Sequence, residues 1–277
     1  MSGEGGETVL RPNEKRPVIK LKSPREIGLM RDTGRVVAKA LDRVKTLAVP
    51  GSCTAELNEA VADIFREHGA TPLFKGYPNS TKGKPPFPGV ICASVNQAIV
   101  HGIPNRRVLQ EGDIVSVDTG CKLNGWCGDA ALTVAIGAVR PEIQKLLDVT
   151  SETLNLAIRA MERCKRWSEV AGLMERYVKS QKMYVIEKFV GHGIGQDMHE
   201  EPQVPNFVSQ ALRRSDIKLE PGIVLAVEPM VAIGTKDVRT LDDGWTVETK
   251  DRTIAAHFEH TVAMTKEGPR VLTYLDD

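Results

Sequence analysis

The segment from Gly191 to Asn206 carries two histidines in a setting that disfavours a helix. Its sequence, GHGIGQDMHEEPQVPN, places His192 and His199 after glycines and before two prolines. Glycine destabilises a helix interior and proline stops a helix. The segment is therefore predicted to be an extended, glycine-rich stretch followed by a turn, in which each imidazole faces a different atom. A glycine-rich loop with two surface histidines is the alternative interpretation.

Four acidic residues stand in or beside apolar, strand-like runs. They are Asp118 in DIVSVD, Asp129 in WCGDAALTV, Glu228 in IVLAVEP and Glu259 in HFEHTVAMT. A buried carboxylate costs free energy unless a cation or hydrogen bonds compensate its charge. A strand-end turn explains each acid alone, but the four together favour a shared pair of divalent ions. With His192 as a nitrogen ligand and no thiolate, this donor set favours Co, Mn, Fe or Zn, and such a pair activates water for hydrolysis.

Helix and strand patterns surround these runs. Ser23-Pro24-Arg25-Glu26 is typical of a capped helix start, and a second helix is predicted from Thr54 to Gly69. Further helices are predicted over 141–161 and 168–180, and strands at GVICASV, DIVSVD, LTVAIG, YVIEKFV, IVLAVEP, WTVET and HFEHTVAMT. GDIVSVD and GIVLAVE share a glycine, an apolar run and a final acid. Two related halves that meet at a pair of acids are one interpretation, and a chance similarity between turn-strand segments is the alternative.

Composition excludes several classes of protein. The chain has 37 Lys and Arg against 36 Asp and Glu, so a basic nucleic-acid-binding surface is not indicated. No apolar run is long enough for a membrane helix, and the polar N-terminus is not typical of a signal peptide. The 5 cysteines form no C-x-x-C pair, which favours reduced thiols in a cytoplasmic protein. Residues 1–20 are predicted to be a flexible arm and residues 21–277 a single catalytic domain.

Taken as a set, the motifs resemble those of the type I methionine aminopeptidases. They are SVNQAIVHGIP, VSVDTG, GDAA, GHGIG, MHEEPQVPN, VEPM and DGWTVETKDRTIAAHFEHT, and the resemblance covers roughly residues 20–275. It implies an α/β (α+β) protein with the pita-bread fold, in which two pseudo-symmetric halves surround a dimetal site. It also implies removal of the initiator methionine from nascent chains, with a small second residue preferred. The metal ligands that it implies are Asp118, Asp129, His192, Glu228 and Glu259.

The resemblance implies roles for individual side chains. His101 matches the family histidine that contacts the scissile amide, and His199 matches the one that polarises the scissile carbonyl. Glu228 matches a metal ligand that also accepts a proton from the attacking water. One ion is implied to hold the free α-amine of the substrate, and a monovalent cation is implied near Asn96.

The implied methionine pocket consists of aromatic rings and sulfur, which suit a long, polarizable thioether. Its residues are Tyr77, Phe87, Cys92, Met198 and Trp245, together with His101 and His199. Ordinary core packing is the alternative for each apolar member. The chain departs from the family pattern at Phe74, where cysteine is common, which predicts a narrower pocket. PNSTKGKPP is a second departure, an insertion between Tyr77 and Phe87.

Two other functions are compatible with the same ligands or fold. An Xaa-Pro aminopeptidase or prolidase shares the five ligands, but those peptidases carry an extra N-terminal domain that residues 1–20 do not supply. A non-catalytic pita-bread module that binds partners or RNA is disfavoured, because such modules lose metal ligands. The protein is expected to act as a cytoplasmic monomer on nascent polypeptide N-termini, with no membrane and no specific nucleic acid partner. The arm and the Lys82/Lys84 loop are candidates for contact with the anionic ribosome.

Overall fold

The computed structural model describes residues 18–275. Residues 1–17, which form most of the predicted arm, lie outside the described residues, and so do residues 276–277. The described helices are α1 (Pro24–Leu47), α2 (Thr54–Glu67), α3 (Pro141–Met161), α4 (Trp167–Ser180) and α5 (Gln210–Arg214). In the described part of the chain, no helix has the length and apolar character needed to cross a membrane.

Strands of the described residues form one large sheet and two small sheets, all with antiparallel pairing. They are β1 (Thr71–Pro72), β2 (Cys92–Val95), β3 (Ala98–Val100), β4 (Ile114–Leu123), β5 (Trp126–Ala135), β6 (Tyr184–Val185), β7 (Gly191–Gly193), β8 (Glu200–Val204), β9 (Val224–Val227), β10 (Met230–Ala232), β11 (Val238–Thr240), β12 (Val247–Thr249), β13 (Ala255–His257), β14 (Glu259–Thr265) and β15 (Gly268–Val271). The large sheet has the order β1-β4-β5-β14-β9-β7-β8, with β2 beside β4 and β15 beside β14. The small sheets are β13-β10-β6 and β11-β12-β3.

Helix α1 begins at the capping box that the sequence predicts. Glu26 N donates to the Ser23 hydroxyl over 3.4 Å, and Ser23 N donates to the Glu26 carboxylate over 2.7 Å. Pro24 occupies the first turn, where an N–H is not needed. A Cβ at Gly34 would lie 2.1 Å from the Leu272 carbonyl oxygen, so glycine lets α1 lie directly against the C-terminal segment.

Helices cover the large sheet in two pairs. Helices α1 and α2 pack on β4 and β5 around a core that includes Leu57 and Val117. Helices α3 and α4 pack on β9 and β14 around a second core that includes Met174 and Leu225. Side chains alternate between the two faces of a strand. The neighbours of each core residue in the sequence therefore point away from the helices, to the opposite face of the sheet.

The two halves begin their central strands with the same turn. Gly112 and Gly222 have φ angles of 91° and 101°, a conformation that glycine adopts without strain. Gly112 N donates to Ile136 O over 2.9 Å, and Gly222 N donates to Met264 O over 2.8 Å. Strands β4 and β9 follow these glycines. Asp118 of GDIVSVD lies within β4, and Glu228 of GIVLAVE directly follows β9. The predicted relation between the two halves is confirmed by this common turn.

The predicted strand over YVIEKFV is wrong after its first residues. Strand β6 ends at Val185, and Ile186 N makes one more bond, to Met230 O over 2.9 Å. The chain then leaves the sheet, since Phe189 and Val190 line a cavity instead. The predicted helix over 168–180 is confirmed as α4, which begins one residue earlier.

Candidate metal centre and side-chain pocket

Strand register places three of the predicted acids on one face of the large sheet. Asp118 on β4 lies opposite Ala131 on β5, and Ala131 lies opposite Glu259 on β14. Side chains of laterally paired residues point to the same face, and so do side chains two positions apart along a strand. Asp129 precedes Ala131 by two positions and therefore shares this face. The small Ala131 side chain leaves space between the three carboxylates.

A neighbouring row brings in the histidine and the fourth acid. His192 on β7 lies opposite Ala226 on β9, and Ala226 lies opposite Thr261 on β14. Thr261 follows Glu259 by two positions, so both rows share a face, and Glu228 follows Ala226 by two positions. We call this set of residues the acidic floor: Asp118, Asp129, His192, Glu228 and Glu259.

Glycines allow the strand that carries His192 to approach its neighbours. A Cβ at Gly191 would lie 2.2 Å from Ala226 O, and a Cβ at Gly193 would lie 2.2 Å from Glu201 O. The predicted extended stretch and turn are confirmed, because β7 and β8 pair in antiparallel fashion around the intervening residues. His192 Nδ1 lies 2.9 Å from Gly193 O, which leaves Nε2 as the nitrogen that can ligate a metal.

The acidic floor lines a cavity of about 520 Å³. Ligand atoms of Asp129, His192 and Glu259 lie within 4.8 Å of one another. His192 Nε2 lies 3.8 Å from Glu228 Oε1, and Asp118 lines the same cavity. The structure therefore brings the five predicted ligands to one place, with three of them in the tightest group.

Several carboxylate oxygens of the acidic floor lack the hydrogen-bond partners that buried oxygens normally have. Among the described residues, Asp118 Oδ1, Asp129 Oδ1 and Glu259 Oε1 are buried and have no hydrogen-bond partner. Buried polar atoms in proteins are nearly always paired, because an unpaired one costs free energy. A divalent cation is a partner for several such oxygens at once, and the oxygen and imidazole donors fit one.

Burial shifts the ionisation of the floor in one direction. It raises the pKa of the carboxyl groups of Asp118, Asp129, Glu228 and Glu259, and the charge of Asp129 raises the pKa of the other three further. Burial also lowers the pKa of the His192 imidazole to about 4, so that ring is neutral near pH 7. These shifts favour protonated carboxyl groups in the metal-free floor, whereas a bound cation favours the ionised carboxylates.

Two further imidazoles line the cavity beside the floor. The His199 ring lies 4.4 Å from the His192 ring, centroid to centroid, and its Nδ1 lies 3.0 Å from the Tyr77 hydroxyl. When Nδ1 accepts a hydrogen bond from the Tyr77 hydroxyl, Nε2 carries the N–H of the neutral ring. His101 packs edge-on against Phe189 at 5.3 Å. Burial lowers the pKa of both His101 and His199.

Aromatic and sulfur-containing side chains form the apolar side of the cavity. Phe74, Phe87 and Cys92 form one buried cluster, against which Met198 and Trp245 pack. The Phe87 and Trp245 rings meet edge-on at 5.2 Å. All predicted pocket residues thus line the cavity, and Phe74 lines it with them. We call this set of residues the aromatic wall: Phe74, Tyr77, Phe87 and Trp245.

The inserted loop, residues 78–86, is fixed to the turn that carries Trp245. Trp245 Nε1 donates to Pro85 O over 3.0 Å, and Asn79 Nδ2 donates to Gly244 O over 3.1 Å. The loop therefore ends with Phe87 in the cavity, where the sequence resemblance places it.

Several cavity residues have no part in the sequence prediction. Phe189, Val190 and Gln203 line the cavity, and His257 lies beside it, with Nε2 at 3.8 Å from Glu228 Oε2. Glu201 and Gln203 alternate along β8 with the buried Pro202 and Val204, a pattern that indicates a strand with one face toward the cavity. No sequence pattern indicates that Phe189 faces the cavity, because the chain leaves the sheet before this residue.

Comparisons with known proteins agree with this geometry. The model of metallopeptidase family M24 matches residues 28–266. Methionine aminopeptidase 1 of Bacillus subtilis is 43% identical over 252 residues, which cover 91% of this chain and 98% of the relative. The crystal structure of methionine aminopeptidase from Thermotoga maritima has a TM-score of 0.87 and 38% identity, over 93% of this chain and 100% of the other.

A peptidase with another specificity shares the fold alone. The Xaa-Pro dipeptidase from Bacillus anthracis has a TM-score of 0.70 but 21% identity, and the match covers 93% of this chain and 62% of that one. The implied pita-bread fold is confirmed by the structures of both kinds. From the family match, the identity and the coverage together, the chain belongs to metallopeptidase family M24 and, within it, to the methionine aminopeptidases.

Proposed function

We propose that this chain removes the initiator methionine from nascent proteins and peptides, with a small second residue preferred, and that residues 21–277 are its catalytic domain. The observation that carries this proposal is one cavity with the acidic floor on one side and the aromatic wall on the other. The floor offers ligands for hydrolytic metal ions, and the wall offers a site for an unbranched thioether side chain.

The residues that would hold two divalent ions are those of the acidic floor. Asp129, His192 and Glu259 form the tightest group, and Asp118 and Glu228 complete the set. Co, Mn, Fe and Zn all accept carboxylate and imidazole ligands. When bound, such ions acidify a water molecule and polarise a carbonyl.

Proton transfer falls to side chains of the floor and its neighbours. Glu228 accepts the proton of the attacking water, because its carboxylate lines the cavity beside His192 and the other ligands of the floor. His199 donates from Nε2 to the carbonyl oxygen of the scissile bond while Tyr77 holds its Nδ1. His101 contacts the scissile amide.

The aromatic wall selects the first side chain of the substrate. Methionine sulfur makes favourable contacts with aromatic rings, and Phe87 and Trp245, which meet edge-on, both line the cavity. Burial of a Met side chain is worth roughly 1.5–3 kcal/mol. Ions held by the acidic floor would also offer a Lewis-acid site for the free α-amine, which would confine cleavage to the first residue of the peptide.

The same proposal covers the localisation of the enzyme, its oligomeric state, a monovalent cation and contact with the ribosome. The protein acts as a cytoplasmic monomer, and a monovalent cation binds near Asn96. Contact with the ribosome involves the N-terminal arm and the Lys82/Lys84 loop, although the Lys84 ammonium already donates to Asp242 O over 2.5 Å. Removal of residues 1–20, or neutralisation of both lysines, is expected to weaken co-sedimentation with ribosomes, and unchanged co-sedimentation contradicts the contact.

Turnover by metal-stripped protein tests the central proposal. Met-Ala-Ser, Met-Pro and Xaa-Pro peptides are supplied with Mn, Co, Fe or Zn in turn, and Glu228→Ala serves as the inactive control. Metal-dependent release of free methionine that the variant loses is the expected result. Release of other residues from Xaa-Pro peptides at the same rate indicates a proline-directed peptidase instead, and no release with any metal overturns the proposal.

A further inference from the structure

His257 stands beside the proposed proton acceptor and has no role in the mechanism above. The residue is 1% exposed, and its Nε2 atom is buried without a hydrogen-bond partner among the described residues. An unpaired ring nitrogen at such depth costs free energy unless it acquires a partner. The nearest charged group that the structure gives it is Glu228, whose Oε2 lies 3.8 Å from Nε2.

Imidazoles flank Glu228 on both of its carboxylate oxygens. Oε1 lies 3.8 Å from His192 Nε2, and Oε2 lies 3.8 Å from His257 Nε2. A third contact holds the main chain, because the fully buried Asn206 donates from Nδ2 to Glu228 O over 3.0 Å. The acid is thus surrounded by groups that can determine the direction of each of its oxygens.

Hydrogen bonds to the backbone hold His257 in this position. The backbone N–H of His257 donates to Thr133 Oγ1 over 3.0 Å, and the Thr133 hydroxyl donates to the backbone carbonyl oxygen of His257 over 2.8 Å. Ser116 Oγ lies 2.8 Å from the same hydroxyl, so the contact extends to β4. On its other side His257 pairs with Met230, two residues after Glu228. The strands that carry the floor therefore also place this imidazole.

We propose that His257 is a positioning residue for Glu228, and that its Nε2–H donates to Glu228 Oε2. The inference rests on the proposed role of Glu228 as proton acceptor. The donation leaves Oε1 on the side of His192 and keeps Oε2 at a fixed angle to the substrate. Metal-binding carboxylates are commonly held by such outer hydrogen bonds. The present separation exceeds a hydrogen bond of about 2.9 Å, and catalytic hydrogen bonds often tighten only in the reacting complex.

Two substitutions separate this role from a merely structural one. His257→Met fills a similar volume without an N–H donor, and His257→Gln retains a donor of similar reach. We expect His257→Met to lower kcat by about 10- to 100-fold with KM within about threefold of wild type, and His257→Gln to recover kcat to within about fivefold. The Mn²⁺ stoichiometry by titration calorimetry is expected to match wild type in both variants.

A matched control is His260→Gln, since His260 is a half-buried histidine next to Glu259, and the His260 Nδ1 lies 2.9 Å from Thr273 Oγ1. It is expected to keep kcat within about twofold. Wild-type kcat in His257→Met, or equal losses in the Met and Gln variants, overturns the proposal. A lower Mn²⁺ stoichiometry also overturns it, because His257 would then be a metal ligand. Glu228→Gln in the same assay tests the proposed function separately: activity in that variant contradicts the role of Glu228, whatever His257 does.

A measurement on the wild-type protein keeps the proposal falsifiable if a variant does not fold. Long-range ¹H–¹⁵N spectra report whether each nitrogen of the 6 histidine rings carries a proton. With Zn²⁺ bound, His257 Nε2 is expected to show the shift of a protonated nitrogen. A shift typical of an unprotonated or metal-bound Nε2 overturns the proposal.

Discussion

The acidic floor and the aromatic wall of the cavity are built on different kinds of backbone. The floor lies on strands or directly after one, and the register of β4, β5, β14, β9 and β7 aligns its side chains. The wall comes mainly from loops, which hydrogen bonds such as Trp245 Nε1 to Pro85 O hold together. A sheet places atoms through many cooperative bonds, whereas a loop depends on a few. We therefore expect floor substitutions to abolish chemistry and wall substitutions to weaken substrate binding.

The largest effect is expected from Asp129→Asn in the floor. The amide keeps the shape of the side chain but removes a charge from the centre of the tightest ligand group. Metal uptake is expected to fall, and kcat/KM is expected to fall by more than the roughly 100-fold typical of outer partners of a metal site. Calorimetric metal titration and peptide turnover measure both. Asp216→Asn is the matched control, because Asp216 binds Ser168 Oγ over 2.6 Å and takes no part in the floor. Wild-type metal uptake in Asp129→Asn contradicts the assignment.

His199 tests the boundary between floor and wall. His199→Ala removes the proposed donor to the carbonyl oxygen but none of the metal ligands, so kcat is expected to fall by about 10²- to 10³-fold with metal content unchanged. Tyr77→Phe, which removes only the bond to His199 Nδ1, is expected to cost roughly fivefold. A loss of metal in His199→Ala would place this residue in the floor.

Trp245→Phe is expected to act on binding alone. It keeps an aromatic ring against Phe87 and removes the indole bond to Pro85 O. One neutral hydrogen bond is worth about 1 kcal/mol, so KM for Met-Ala-Ser is expected to rise roughly fivefold with kcat unchanged. Trp167→Phe loses the same kind of bond, to Pro205 O over 2.7 Å in the second core, and is expected to leave KM unchanged. A fall in kcat without a change in KM for Trp245→Phe contradicts the assignment of the aromatic wall to substrate binding alone.

The smallest expected effect is on the stability of the metal-free protein at different pH values. Burial raises the pKa of the floor carboxyls in the folded state, so their contribution is greatest at low pH and is lost as pH rises through the folded pKa. The half-buried His101 and His192, whose pKa desolvation lowers to about 4, are neutral above pH 7 and do not offset this loss. Above about pH 7, the Tm of the metal-free protein is expected to fall as pH rises toward the folded-state pKa of these carboxyls. Added Mn²⁺ is expected to abolish the fall. A flat profile without metal contradicts the floor ionisation described above.

The sequence predicts the floor better than the wall for a physical reason. An acid such as Asp118 within an apolar run is anomalous by itself, and the anomaly remains visible without any tertiary structure. Aromatic residues such as Phe87 occur in any core, so the wall was identified only through the resemblance to a family. Phe189 and His257 were missed because their places depend on where a strand ends and how two sheets meet. The strand predicted over YVIEKFV was wrong for the same reason, because apolar residues that line a cavity have the same sequence pattern as apolar residues of a buried strand.

The common turn at Gly112 and Gly222 has a consequence for how the molecule assembles. The first half supplies Asp118 and Asp129, and the second supplies the remaining ligands of the acidic floor. Neither half alone contains a complete set, so the proposed ions bind only after the halves have docked. By mass action, free metal then favours the docked state over any state in which the halves are apart. A shortage of metal would therefore destabilise the interface between the two halves at the same time as it stops hydrolysis.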